Sequence, residues 1–135
     1  MNSSVQPMSA DPFIRLDDVL RNLRTDPATA QDPIKRTFVF DGLHVSANVA
    51  VLEPGGNALH IQPFHDELVV IVDGECDFRV GERTARVRAG DLICIPRGTL
   101  HGPVIEHGTV STLSVFAPSF DRGRKNILWA RDGFA

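Results

Sequence analysis

No apolar run in this 135-residue chain approaches the roughly 20 residues of a membrane span, so no membrane partner is expected. The N-terminal stretch MNSSVQPMSADPF has no basic segment followed by an apolar one, so no secretory leader is expected. Basic charge is not in excess: 14 Lys and Arg stand against 17 Asp and Glu, a formal net charge of −3. A nucleic-acid reader needs a clustered basic face, and none is expected here. Cysteine is scarce. Cys76 and Cys94 form no CxxC pair, and each sits inside an apolar strand-like run where a small buried thiol is common. A reducing cytoplasm is the expected location. No serine is paired with a histidine and an acid, and no glycine-rich phosphate loop precedes a helix.

What the chain does contain is short and β-rich. Residues 1 to 12 are polar with proline and are expected to be a mobile tail. In FIRLDDVLRNLRTD, Leu16, Val19, Leu20 and Leu23 recur at helical spacing, with Asp17 and Asp18 early and Arg21 and Arg24 late, as the helix dipole favours. PATAQDP reads as a linker, which predicts a tail and short helix over 1–35 and one domain over 36–135. From Arg36 the pattern changes to RTFVF, HVSANVAVL, NALHIQ, ELVVIV, ECDFRV, RTARVRA, DLICIP, LHGPVIE, TVSTLSVFA and NILWA, separated by turn signals. Asp73-Gly74 and Val80-Gly81-Glu82 read as hairpin turns. No long helix interrupts the series, so the strands are expected to be mainly antiparallel. Ten short strands in one small domain predict an all-β sandwich or barrel such as a jelly roll.

The stretch NALHIQPFHDELVVIVDGE concentrates polar groups around a β-branched run. Residues two apart on a strand share a face, so His60 and Gln62 point the same way. If that face is interior, leaving them unpartnered would cost roughly 1–3 kcal/mol, and a metal would satisfy both. Glu67 opens the next apolar strand, where a carboxylate either faces solvent or ligates something. His101 follows a Pro and Gly turn that would aim it at one spot.

These residues resemble the cupin superfamily, whose fold is the double-stranded β-helix, a jelly-roll β-barrel. Its first motif runs Gly, five residues, His-x-His, three or four residues, Glu, six residues, Gly; here His60-x-Gln62, Glu67 and Gly74 fit, with Pro63 as in germin-like members. Its second runs Gly, five residues, Pro-x-Gly, two residues, His, three residues, Asn; Gly90, Pro96, Gly98 and His101 fall in register. The resemblance covers roughly residues 40 to 118. There are three departures: Gln62 replaces the second histidine, Gly55 stands one residue too close to His60, and Ile105 replaces the closing Asn.

The resemblance implies a metal held by His60, Glu67 and His101, with Gln62 open to two readings. Either Gln62 is a loose fourth ligand or a hydrogen-bond donor to substrate, or it marks a degraded site. The two-histidine, one-carboxylate set resembles the facial triad of non-haem Fe(II) oxygenases, so Fe2+ is favoured, and Mn2+, Ni2+, Zn2+, Co2+ or Cu2+ would also be accepted. His65 is read as a rim residue, with ligation as its alternative. The implied activity is metal-centred chemistry on a small organic molecule: dioxygenation, or isomerisation, cyclisation or lyase chemistry. The alternative is a binding module without turnover. Expected pocket residues are the apolar Val69, Ile71, Phe78, Val104 and Phe116 with the polar Ser46, Asn48, Thr112 and Ser114. Small cupins are commonly homodimers, and IKRTFVF reads as an edge strand needing cover. Trp129 is read as sealing a barrel end or an interface, and Arg122, Arg124 and Lys125 as a solvated turn or an anion contact.

Overall fold

The computed structural model describes residues 11–55 and 58–135. The expected tail therefore lies mostly outside the described residues. Helix α1 (Leu16–Thr25) carries Asp17 and Asp18 in its first turn and Arg24 in its last. A single 3-10 turn (Pro27–Thr29) follows within the expected linker, capped by Asp26, whose carboxylate accepts from the Ala28 N–H. Ten strands come next: β1 (Ile34–Asp41), β2 (Ser46–Leu52), β3 (His60–Ile61), β4 (Asp66–Asp73), β5 (Glu75–Val80), β6 (Arg83–Arg88), β7 (Leu92–Ile95), β8 (His101–Val104), β9 (Val110–Ala117) and β10 (Leu128–Trp129). Each predicted strand segment overlaps one of them. Among the described residues, no helix is long and apolar enough to cross a membrane.

The strands form two five-stranded antiparallel sheets, ordered β1-β2-β9-β4-β7 and β10-β3-β8-β5-β6. This is the jelly-roll arrangement, and it corrects one turn. The β5–β6 hairpin forms as read, around Gly81 and Glu82. The strands flanking Asp73-Gly74 do not pair, because β4 lies in the first sheet and β5 in the second. Gly74 instead carries the chain from one sheet to the other at φ +84°, packed so tightly that a Cβ would lie 2.2 Å from the Thr109 carbonyl oxygen. A turn dipeptide fixes a reversal, and long-range pairing decides what it joins.

Alternation along the strands sorts side chains into two packing layers. Val69, Ile71, Cys76, Phe78, Val87, Ile93, Ile95 and Val110 meet between the sheets as a dry core. On the outer face of the first sheet, Val49 and Val51 receive Leu20 of α1, flanked by Leu16, Val19 and Leu23. Helix α1 thus packs onto the barrel rather than standing apart from it. The same alternation corrects the cysteines. Cys76 is buried, and burial pushes its thiol up to about 11, but Cys94 falls between inward Ile93 and Ile95 and is exposed. Lys35 is also unexpectedly buried, held by Glu53 at 2.6 Å and by the Asp32 carbonyl at 2.7 Å.

Candidate metal centre and cavity

Two histidines meet because β3 and β8 pair in one register: His60 lies directly opposite His101. Their ring centroids are 4.2 Å apart, and Trp129, paired with His60 from β10, continues the row at 4.8 Å. Gly102 allows this approach, since a Cβ there would lie 2.6 Å from the Ala58 carbonyl oxygen in the loop before His60. Glu67 arrives from the opposite sheet, between Phe116 and Ile95. The ligand atoms of His60, Glu67 and His101 lie within 4.8 Å of one another.

Backbone carbonyls fix the orientation of both imidazoles. His60 Nδ1–H donates to the Ala58 carbonyl and His101 Nδ1–H to the Thr99 carbonyl, each at 2.8 Å. That tautomer leaves Nε2 of each ring for the interior, as outer hydrogen bonds do in metal-ligating histidines. Burial, reinforced by neighbouring His101, lowers His60 to about 4 against the opposing pull of the Ala58 carbonyl, so the ring is neutral near pH 7. His101 Nε2 stands 3.0 Å from Glu67 Oε1, both groups being buried. A cation held by both atoms would satisfy them together.

Gln62 supplies an independent sign of fit. Its Oε1 is buried and has no hydrogen-bond partner among the described residues. It lines the same cavity as His60, Glu67 and His101. An orphaned buried acceptor beside three ligand atoms suits a bound cation. The residues present therefore fit a metal, with Gln62 as a neutral oxygen donor.

Behind these groups lies a cavity of about 70 Å³, walled by Val69, Phe78 and Phe116 with Asn48, Thr112 and Ser114 as its polar spots. Three expected wall residues lie elsewhere. Ile71 packs in the dry core. Val104 is 45% exposed. Ser46 faces inward, but its hydroxyl donates to Asp41 and accepts from the Phe120 N–H, at the end closed by Phe38, Phe116 and Phe120. His65 is not at the rim. It is buried with Nδ1 2.7 Å from the Pro118 carbonyl and Nε2 3.0 Å from Asn126 Oδ1, so it clasps the C-terminal segment and offers no ligand atom to the site. Nor do Arg122 and Arg124 reach the cavity: Arg122 pairs with Asp41, and Arg124 stacks 3.7 Å from the Phe64 ring centroid. Sequence reasoning missed Arg36, which lines the cavity mouth from β1. Its place two residues after the apolar Ile34, on the same strand face, was the available signal.

Fold and site together define a double-stranded β-helix protein with a two-histidine, one-glutamate pocket. A protein-family comparison matches residues 48–116 to the cupin domain, and the chain belongs to that family. No curated protein matches it. Solved structures share the fold. An uncharacterised double-stranded β-helix protein from Klebsiella pneumoniae is 20% identical, with 81% of this chain and 91% of that one covered and a TM-score of 0.66. TT1209 from Thermus thermophilus is 27% identical over 75% and 94%, at 0.62. A nucleoside dehydratase from Streptomyces is 17% identical over 72% and 78%, at 0.61.

Proposed function

We propose that the protein is a mononuclear metal-dependent cupin that acts on a small organic molecule. The observation that carries this reading is the pair of backbone-locked imidazoles whose Nε2 atoms converge with one buried carboxylate. His60, Glu67 and His101 would hold the ion and Gln62 would complete the set. The ion would supply Lewis-acid polarisation, or redox activation of O2 if it is iron. The chain's own residues do the rest. Val69, Phe78 and Phe116 exclude water, and Asn48, Thr112 and Ser114 orient polar groups of the bound molecule. The reaction is dioxygenation with iron, or isomerisation, cyclisation or lyase chemistry with a redox-inert ion. Gln62 in place of histidine favours a second reading, a binding cupin without turnover. A cytoplasmic homodimer, joined along the exposed β1 edge, is part of the proposal.

The test is elemental analysis of the purified protein, as isolated and after anaerobic Fe(II) loading and desalting. Near one metal per chain is expected. His60→Ala and His101→Ala should each fall close to zero while circular dichroism stays that of a folded barrel. No retained metal in the wild type under either condition would overturn the metal reading, and wild-type metal content in both variants would overturn the ligand assignment.

A further inference from the structure

The cavity opens between two sheet edges, β1 of the first sheet and β10 of the second. Ile34, Arg36 and Trp129 line both the inner cavity and an outer cleft of about 390 Å³, which also takes in Arg131, Asp32 and Pro33. The outer cleft therefore leads inward past Arg36 and Trp129. Arg131 is held in place by the indole, its guanidinium carbon 4.5 Å from the Trp129 ring centroid. Trp129 in turn lies against His60, so a continuous row runs from Arg131 to the histidine pair.

Apart from the contact of Arg131 with the indole, neither the Arg36 nor the Arg131 side chain has a hydrogen bond or ion pair among the described residues. Other arginines without a partner, Arg15, Arg83, Arg88 and Arg97, are not among the residues lining this cleft or the inner cavity; what marks Arg36 and Arg131 is their shared place at the cavity mouth. Asp32 is the acidic residue lining the cleft, and its carboxylate pairs with neither. Arg36 is exposed at the mouth, where partial desolvation first, and the neighbouring Arg131 after it, press against its charge. Glu67 is the carboxylate that offsets it, and Glu67 is committed to the ligand set deeper in. Two guanidiniums against the single carboxylate of Asp32 leave the cleft lining with a net positive charge, which suits an anion from solution. Planar guanidinium forks match a planar carboxylate, and one indole face beside them suits an organic body.

We propose that Arg36 and Arg131 form a carboxylate-docking subsite, and that the molecule taken up is a small organic carboxylate held by its charged end at the mouth, with its uncharged end directed toward His60, Glu67 and His101. This rests on the reading of the cavity as a small-molecule site and names the class of molecule it takes.

Trp129 is the single tryptophan and the chain has no tyrosine, so tryptophan emission reports this mouth alone. Pyruvate, succinate and benzoate are titrated against pyruvamide, succinamide and benzamide, with phenyl phosphate as a tetrahedral anion. Binding is followed by Trp129 emission and by calorimetry, on metal-free and metal-loaded protein whose metal content is measured separately. At least one carboxylate should saturate and its amide should not. Arg36→Gln and Arg131→Gln should each weaken that binding about 10- to 100-fold, and Arg36→Lys should recover part of it. Metal content of Arg36→Gln should equal or exceed that of the wild type. Carboxylate binding indifferent to both arginines, amides binding as well as acids, phenyl phosphate binding in place of every carboxylate, or no saturation by any acid would each overturn the inference. Arginine-dependent carboxylate binding by a chain that holds no metal would support it while the metal reading falls.

Discussion

Gln62 faces two opposed demands. Its buried Oε1 has no partner among the described residues, and a buried acceptor left unsatisfied costs roughly 1–3 kcal/mol. With a cation bound the same atom gains one. Gln62→Leu should therefore leave the metal-free protein as stable as wild type or about 1 kcal/mol more stable by urea unfolding. Metal affinity, measured by competition with a chelator, should drop at least about tenfold. Unchanged affinity would show that Gln62 is no ligand. His60 gives the pH dependence. Its pKa is about 4 in the fold against 6.5 in the unfolded chain. Between those values the unfolded chain binds a proton that the folded chain does not, so stability rises with pH. The contribution is fully present above 6.5 and is lost as pH falls toward 4, by up to about 3 kcal/mol. Urea midpoints of metal-free wild type and His60→Gln at pH 7, 6 and 5 should converge as pH drops. Parallel curves would refute the assignment.

Among the elements, α1 and the β3–β8 pair do separate jobs. The helix lies on the outer face of the first sheet through Leu20, and the ligands lie on the inner faces. Leu20→Ala should cost about 2–4 kcal/mol by urea unfolding, because it removes a fully buried side chain facing Val49 and Val51. Metal content at equal folded fraction should not change, since no ligand strand loses an inward contact. A loss of metal in the folded variant would mean that the helix positions the site as well as stabilising the sheet. The short β3 and β10 strands, two residues each, are the thinnest elements, yet they hold His60 and Trp129. β10 pairs with β3, and β3 in turn with β8, where Gly102 admits the close approach.

For the whole molecule, the site ties the two sheets together. Glu67 belongs to one sheet, and His60 and His101 to the other. A cation shared by the three would act as a cross-link that only the folded state can make, so binding should raise stability by mass action. At a metal concentration a hundredfold above Kd the gain is about 2.7 kcal/mol, or about 10 °C in melting temperature for a chain of this size. Differential scanning calorimetry with and without metal should show that shift, and EDTA should reverse it. A shift that persists in His101→Ala would place the ion elsewhere.

The sequence by itself determined the ten strand segments, the helix, the family motifs and the candidates His60, Gln62, Glu67 and His101. These follow from local rules: alternation places side chains on faces, glycine and proline mark turns, and motif spacing keeps a register. Tertiary structure decided what lies next to what. It turned Asp73-Gly74 from a hairpin into a crossing between sheets, moved Cys94 outward, engaged His65 with Pro118 and Asn126, and withdrew Ser46 from the cavity wall. It also brought Arg36 and Arg131, at opposite ends of the folded chain, to one cavity mouth. A strand pattern carries period and face, but which face turns inward, and which distant strand supplies the partner, depends on pairings that form only when both sheets close.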